Sequence, residues 1–345
     1  MKLQLLTAAM VLVGSNALAQ DTLSVVGSWS GLPLHKQYEN PFWSKTLPAA
    51  LGGNVDVALT THDQMGISGG DVFRMMSEGV FDIGMTVSDY AIADNTALEG
   101  LDVPLLAADA DEAKKLVDAS RPMMNDIYKT TFNAHVIGTA PYPPQVVFCN
   151  AEIGGLADLK GKKVRASGRM TANVLESVGA ESVTMSFGEV PGALQRGVLD
   201  CAVTGAGSGL SAGWWEVSTH LLPLALGGWD TVVAAIRLDK WNALDEATQK
   251  TLEASFKENV EDKAWAAAQA AINTDVACLT GEGECPTGES RGMKLVQVTD
   301  ADATLVKDLL VTKVLPDWAE RAGGDWGARW NKTVGAAAGI TIPLK

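Results

Sequence analysis

Two α/β lobes joined by one long helix are the fold this sequence predicts, and three observations predict it. Short runs rich in β-branched and apolar residues alternate with amphipathic stretches, at 23–29, 55–60, 81–85, 145–148, 163–166, 199–203, 231–236 and 294–297; such alternation marks sheets covered by helices. The span 246–272 keeps helical periodicity, and at 1.5 Å per residue it reaches roughly 40 Å, long enough to brace two lobes. Finally, Glu78-Gly79-Val80-Phe81-Asp82-Ile83 recurs in outline as Arg196-Gly197-Val198-Leu199-Asp200-Cys201.

The chain opens Met1-Lys2, runs largely apolar from Leu3 to Val13 and reaches Ala17-Leu18-Ala19. This is the three-part layout of a secretory signal peptide, so residues 1–19 are expected to be removed. The apolar stretch is too short to span a bilayer, and no later apolar run reaches about 20 residues. No cysteine lies near Ala19 to carry a lipid. Roughly 325 remaining residues exceed what one core usually supports, so two domains are expected. We place the first at 20–143 with 230–258, and the second at 144–229 with 259–345.

Each copy of the echoed segment follows a helical pattern. Gly79 and Gly197 sit where a helix end wants a residue tolerant of positive φ, and the apolar-Asp-apolar run after each reads as a buried strand. Helix-Gly-strand junctions are common, so coincidence would give the same echo. If the halves are real, 86–90 and 203–207 lie at corresponding strand carboxyl ends, where ligands of open α/β sheets bind. A cleft there draws Ser88 and Tyr90 from one wall and Thr204 from the other. In the long helix, Asp245 is the expected cap, Glu246 suits the dipole, and Leu252, Phe256 and Val260 recur at helical spacing. The stretch 299–330 again reads as helical, with Leu305, Leu309, Val314, Leu315 and Trp318 as packing residues.

A formal charge of −14 argues against nucleic acid, whose phosphates are bound through Lys and Arg. An acidic surface repels anions at long range, so an anionic ligand needs Arg concentrated inside a cleft. Arg165 fits that need: Lys163-Val164-Arg165-Ala166 reads as an interior strand, where an Arg is rare unless paired. A ligand carboxylate would satisfy it with two charge-assisted hydrogen bonds of about 1.5–3 kcal/mol each; an internal Asp or Glu would serve equally. Arg169, at the mouth of the next helix, adds charge or stays exposed. Of the ten tryptophans, Trp214, Trp215 and Trp229 lie close to the second wall, as ligand-stacking or packing residues.

No catalytic constellation emerges. Gly209-Leu210-Ser211-Ala212-Gly213 matches the nucleophile elbow G-x-S-x-G, but only Glu216 and His220 follow as partners. A hydrolase using Ser211 is therefore kept as the alternative. Gly205, Gly207 and Gly209 lack G-x-G-x-x-G and a Walker lysine. His35, His62, His135 and His220 are scattered, with no HExxH or CxxC, so no metal or cofactor is expected. Cys278 and Cys285 flank a polar Gly-containing loop, and in an oxidising compartment a disulfide is expected there. Cys149 and Cys201 either pair between neighbouring strands or stay as buried thiols; spacing leaves both open.

From Ala157 the chain reads Ala-Asp-Leu-Lys-Gly-Lys-Lys-Val-Arg, then Val-Gly-Ala, Met-Ser-Phe-Gly-Glu-Val and Ala-Leu-Gln-Arg-Gly-Val-Leu-Asp, ending at Asp200. This resembles the solute-binding proteins of TRAP transporters, the dicarboxylate-binding-protein or DctP family. The likeness extends upstream through Gly69-Gly70 and 78–84, and downstream through the long helix. It implies a two-domain periplasmic-binding-protein clamp, not an enzyme, with a long helix spanning both domains. It further implies a periplasmic monomer that delivers a small organic acid to TRAP permease subunits.

By the same resemblance Arg165 falls on the Arg that pairs with the ligand carboxylate, and Phe187 on a Phe that packs against ligand. Many members carry Asp-Gly-Gln-Glu-Asn-Pro after the second echo, with the Asn in the pocket; here Asp200-Cys201-Ala202-Val203-Thr204-Gly205 puts Thr204 in its place. A second Arg of many members falls near Gln145, after Pro141-Tyr142-Pro143-Pro144. With that cation gone, a monocarboxylate or a less charged acid is expected rather than a dicarboxylate, and Phe187 with Trp229 and Trp29 suits an apolar or aromatic body; hydroxylated acids, keto acids and compatible solutes stay open. The same chain would also serve as the ligand-reporting partner of a membrane sensor.

Overall fold

The computed structural model describes residues 21–53, 55–107 and 109–344; the signal peptide expected over 1–19 lies outside the described residues. Numbered along the chain, β1 (Asp21–Gly27), β2 (Val55–Thr61), β3 (Ile83–Val87), β4 (Ala134–Ala140) and β10 (Val232–Arg237) form one sheet in the order β2-β1-β3-β10-β4. The second sheet holds β5 (Gln145–Cys149), β6 (Lys163–Ala166), β7 (Glu181–Thr184), β8 (Cys201–Gly205), β9 (His220–Leu222) and β11 (Lys294–Leu295), in the order β11-β9-β5-β8-β6-β7. We take these sheets as the centres of the two lobes.

The echo is a topological repeat. In the first sheet β1 runs parallel to β2 and β3, and β10 lies antiparallel to β3. In the second, β6 runs parallel to β7 and β8, and β5 lies antiparallel to β8. Thus β3 and β8 are equivalent strands. Gly79 at φ +87° and Gly197 at φ +69° adopt the left-handed conformation that ends each preceding helix. The repeated aspartate has one task in both copies: the Asp82 carboxylate accepts from the Ser24 amide at 3.0 Å, and the Asp200 carboxylate from the Lys163 amide at 2.8 Å. Ser24 and Lys163 stand on the equivalent strands β1 and β6, so each aspartate ties its strand entrance to a neighbour.

Three strands, β4, β7 and β9, fall outside the predicted runs. Their sequences (Ala-His-Val-Ile-Gly-Thr-Ala, Glu-Ser-Val-Thr and His-Leu-Leu) carry few β-branched residues in succession, and pairing with β10, β6 and β5 holds them extended. The long helix runs from Glu246 through a widened turn at Lys257–Glu261 to Thr280. It ends beyond the predicted 272, where Gly281 turns left-handed at φ +84°. The Asp245 carboxylate accepts from the Thr248 amide at 2.8 Å, as a cap should. Leu252, Phe256 and Val260 pack under the first sheet, whereas Leu279 belongs to the core of the second.

The carboxyl-terminal helices break at Gly323 and Gly324, both at positive φ. Of the expected packing residues Val314, Leu315 and Trp318 are buried, together with Val306 and Leu310, while Leu305 points to solvent. Trp318 Nε1 donates to the Thr96 carbonyl at 3.0 Å, Trp330 Nε1 to the Gly100 carbonyl at 2.9 Å, and Arg321 forms a fork on Glu99. Asn173 Nδ2 reaches Asp317 at 3.0 Å. This segment, grouped by sequence with the second lobe, therefore touches both. A methyl on Gly100 would stand 2.2 Å from Trp318 Cζ2. Gly100→Ala is expected to destabilise by about 1–3 kcal/mol, the usual cost of overpacking, read as a fall in Tm.

Candidate functional site

The carboxyl end of β3 leads into Ser88, Asp89 and Tyr90, and β10 begins just after Asp230 and Thr231. The Ser88 amide donates to the Thr231 carbonyl at 3.0 Å, which sets these two segments side by side at one end of the first sheet. From the second sheet come Arg165 on β6, then Ser167 and Gly168, and the turn after β7 that carries Phe187. Between them lies a cleft of about 580 Å³, with Trp29, Asp89 and Tyr90 on one wall and Ser167, Arg169 and Phe187 on the other. The lobes meet closely: a methyl on Gly168 would fall 2.0 Å from Asp89 Oδ2.

Arg165 is 1% exposed. Its Nε donates to the Met185 carbonyl at 2.9 Å and its Nη1 to the Val203 carbonyl at 2.7 Å, which fixes the guanidinium plane. Nη2 reaches the Tyr90 hydroxyl of the opposite wall at a long 3.4 Å. A guanidinium has five N–H donors, so two are left without an acceptor among the described residues. No described carboxylate forms an ion pair with it.

The other predicted residues separate into groups. Trp29, Tyr90, Phe187 and Arg169 line the cleft. The Trp29 ring stands 5.6 Å from Tyr90 and 6.1 Å from Phe187, and Phe187 stacks on Trp214 at 5.2 Å. Arg169 is paired with Glu176 at 3.2 Å. Ser88 and Gln145 are buried beside this wall, with Gln145 Nε2 donating to Asp230 Oδ1. Thr204 is buried on β8 opposite Val146; like Arg165, Ser88 and Gln145 it stands behind the residues that line the cleft. Trp229 also stands off the cleft: its ring packs on Trp265 at 5.8 Å, and its amide donates to Asp102 at 2.8 Å.

Ser211 is the exposed last residue of the helix Ala206–Ser211, not a strand-to-helix elbow. His220 Nδ1 is engaged by Thr219 Oγ1 at 2.8 Å. The glycine of this motif has a packing reason, since a methyl on Gly209 would lie 2.4 Å from the Phe148 ring. Both disulfides are formed, Cys278–Cys285 as expected and Cys149–Cys201 between β5 and β8.

Sequence reasoning missed three buried aspartates. Burial, reinforced by Asp102 and Glu99, pushes the Asp89 carboxyl up to about 7 against the pull of Arg165. Burial with Asp89 and Asp102 holds Asp230 well above the ordinary range, and Arg165 again pulls the other way. Burial raises Asp102 too, opposed by the amides of Trp229, Thr231 and Asp230. One signal was available: Asp89 lies between Ser88 and Tyr90, both already placed on the wall.

This gives a sign for stability. Between the ordinary value of 3.8 and about 7, folded Asp89 keeps a proton that the unfolded chain has lost, so stability falls as pH rises through that window and levels above it. Asp89→Asn is expected to flatten part of the decline in Tm from pH 4.5 to 7.5. An unchanged slope would show that Asp89 is ionised throughout.

The family described as "Bacterial extracellular solute-binding protein, family 7" (DctP) matches residues 30–283. An uncharacterized protein of Salmonella typhimurium, YiiZ, is 26% identical over 231 residues, covering 64% of this chain and 68% of its own. An extracytoplasmic solute receptor of Bordetella pertussis binding pyroglutamic acid superposes with a TM-score of 0.79 at 21% identity, covering 92% of this chain and 99% of that one. A TRAP periplasmic solute-binding protein of Shewanella oneidensis with bound succinate gives 0.78 at 17%, covering 93% and 99%. One of Desulfovibrio salexigens with bound orotic acid gives 0.77 at 18%, covering 92% and 98%. At these identities the likeness to solved structures establishes the fold.

Proposed function

We propose that this chain, which belongs to the DctP family of bacterial extracellular solute-binding proteins, captures a small monocarboxylic acid between its lobes and hands it to the membrane subunits of a TRAP permease. Members of the family are binding proteins rather than enzymes, so the hydrolase reading of Ser211 is set aside. The observation that carries the proposal is the Arg165 guanidinium, buried directly behind the cleft wall formed by Met185 and Tyr90, oriented by two backbone carbonyls and with two N–H groups that no described acceptor takes. Ligand oxygens would take those donors as the long Tyr90 contact gives way.

The solved relatives bind pyroglutamate, succinate and orotate, which supports an organic acid here. Gln145 stands where a second cation is expected, and Arg169 is already paired with Glu176; both favour a single carboxylate. Trp29, Tyr90 and Phe187 offer ring surface to the rest of the ligand. The protein would act as a periplasmic monomer after loss of its signal peptide. No helix among the described residues is long and apolar enough to cross a membrane, so passage is left to the permease. Domain closure over the ligand would carry the signal to it.

A thermal-shift screen of the mature protein against small acids tests this. A ligand at about 100 times its Kd stabilises the folded state by about 2.7 kcal/mol, which raises Tm measurably. A set of monocarboxylates is expected to do so; a rise with neutral sugars alone would sink the reading.

A further inference from the structure

The inter-lobe site holds acceptor-only oxygens that an acid ligand cannot satisfy, Asp89 Oδ1 and Gln145 Oε1, beside hydroxyls that can donate or accept. Asp89 Oδ1, Gln145 Oε1, Ser88 Oγ, Thr231 Oγ1 and Ser167 Oγ are all buried without a hydrogen-bond partner among the described residues. Folded proteins leave few such atoms, and here five gather on the segments that meet around Arg165. Asp89 and Ser167 line the cleft from opposite walls.

We propose that Asp89, which lines the cleft opposite Ser167 and is backed by Asp230 on the adjoining segment before β10, forms a second pole of the ligand site that receives an N–H donor, so that the solute is a small carboxylic acid also carrying an ammonium or lactam N–H. This rests on the acid-binding reading above. A plain carboxylate would bring a third acidic group against one guanidinium. Burial and mutual repulsion already hold both aspartates above their ordinary range. An N–H group relieves that repulsion and gives the unpartnered Asp89 Oδ1 a donor.

The neighbouring groups divide the labour. Gln145 commits its Nε2 to Asp230 Oδ1, leaving Oε1 as an acceptor beside that carboxyl. Asp102 is a positioning residue, because the amides of Trp229, Asp230 and Thr231 point at its carboxylate and hold the loop that presents Asp230. Arg165 is not spent on these acids: its assigned bonds go to two carbonyls and to Tyr90.

The test uses matched acids differing in one atom, titrated calorimetrically into the mature protein. Pyroglutamate is compared with 5-oxotetrahydrofuran-2-carboxylate, and proline with tetrahydrofuran-2-carboxylate; in each pair oxygen replaces the N–H. In at least one pair the N–H member is expected to bind tenfold or more tightly, and the pair that responds separates lactam from ammonium. Asp230→Asn and Asp89→Asn should shrink the ratio, whereas Arg165→Ala should weaken both members together. Equal or tighter binding of the oxygen members overturns the inference and leaves the acid reading standing. If none of the four binds, the inference is likewise overturned, and the acid reading then stands or falls on the wider screen.

Discussion

Arg165→Ala is expected to abolish the acid-induced rise in Tm and to weaken capture by about 100-fold or more. Two charge-assisted hydrogen bonds contribute about 1.5–3 kcal/mol each, and about 1.4 kcal/mol is a factor of ten. Arg165 is 1% exposed, so salt screens little of that interaction. The same side chain also supports the fold through the Met185 and Val203 carbonyls. Leaving them unpaired costs about 1–3 kcal/mol each, so the variant should melt lower even without ligand. Arg165→Lys separates the two effects: it keeps the charge but not the planar fork, and is expected to regain stability while still binding at least tenfold more weakly. Unchanged affinity in Arg165→Ala, by calorimetry, would end the carboxylate reading.

Much of this architecture was legible because it is written in local chemistry. The repeated Gly79 and Gly197 are needed for left-handed helix ends, and Asp82 and Asp200 recur because each strand entrance needs the same acceptor. Arg165 stood out because a guanidinium within a buried strand must be answered by something. What the sequence could not show is burial set by pairs of distant segments. Asp89 and Asp230 resemble any of 41 acidic residues until β3 and β10 lie side by side. Strand ends and resemblance point to Thr204 and Trp229, yet the fold buries both behind the cleft lining, Trp229 against Trp265. Leu305 shows the finer limit: the helix was read correctly, but its buried face passes through Val306.

Removing the Cys149–Cys201 bridge is expected to cost about 4 kcal/mol, against about 2 kcal/mol for Cys278–Cys285. The difference follows from the chain each closes, 52 residues against 7, because the longer loop restricts the unfolded chain more. Cys149 and Cys201 face each other on β5 and β8, and both are fully buried. Cys278 and Cys285 tie down only the loop beyond the long helix. Urea unfolding of Cys149→Ala/Cys201→Ala and of Cys278→Ala/Cys285→Ala should therefore give a larger loss for the first pair; equal losses would refute the chain-entropy account. The first pair should also touch function. β8 supplies the Val203 carbonyl that orients Arg165, and Ala202 on β8 pairs directly with Arg165 on β6. Loosening β5 from β8 loosens the platform under the guanidinium, so acid affinity should fall severalfold in that variant and stay unchanged when the surface loop is unbridged.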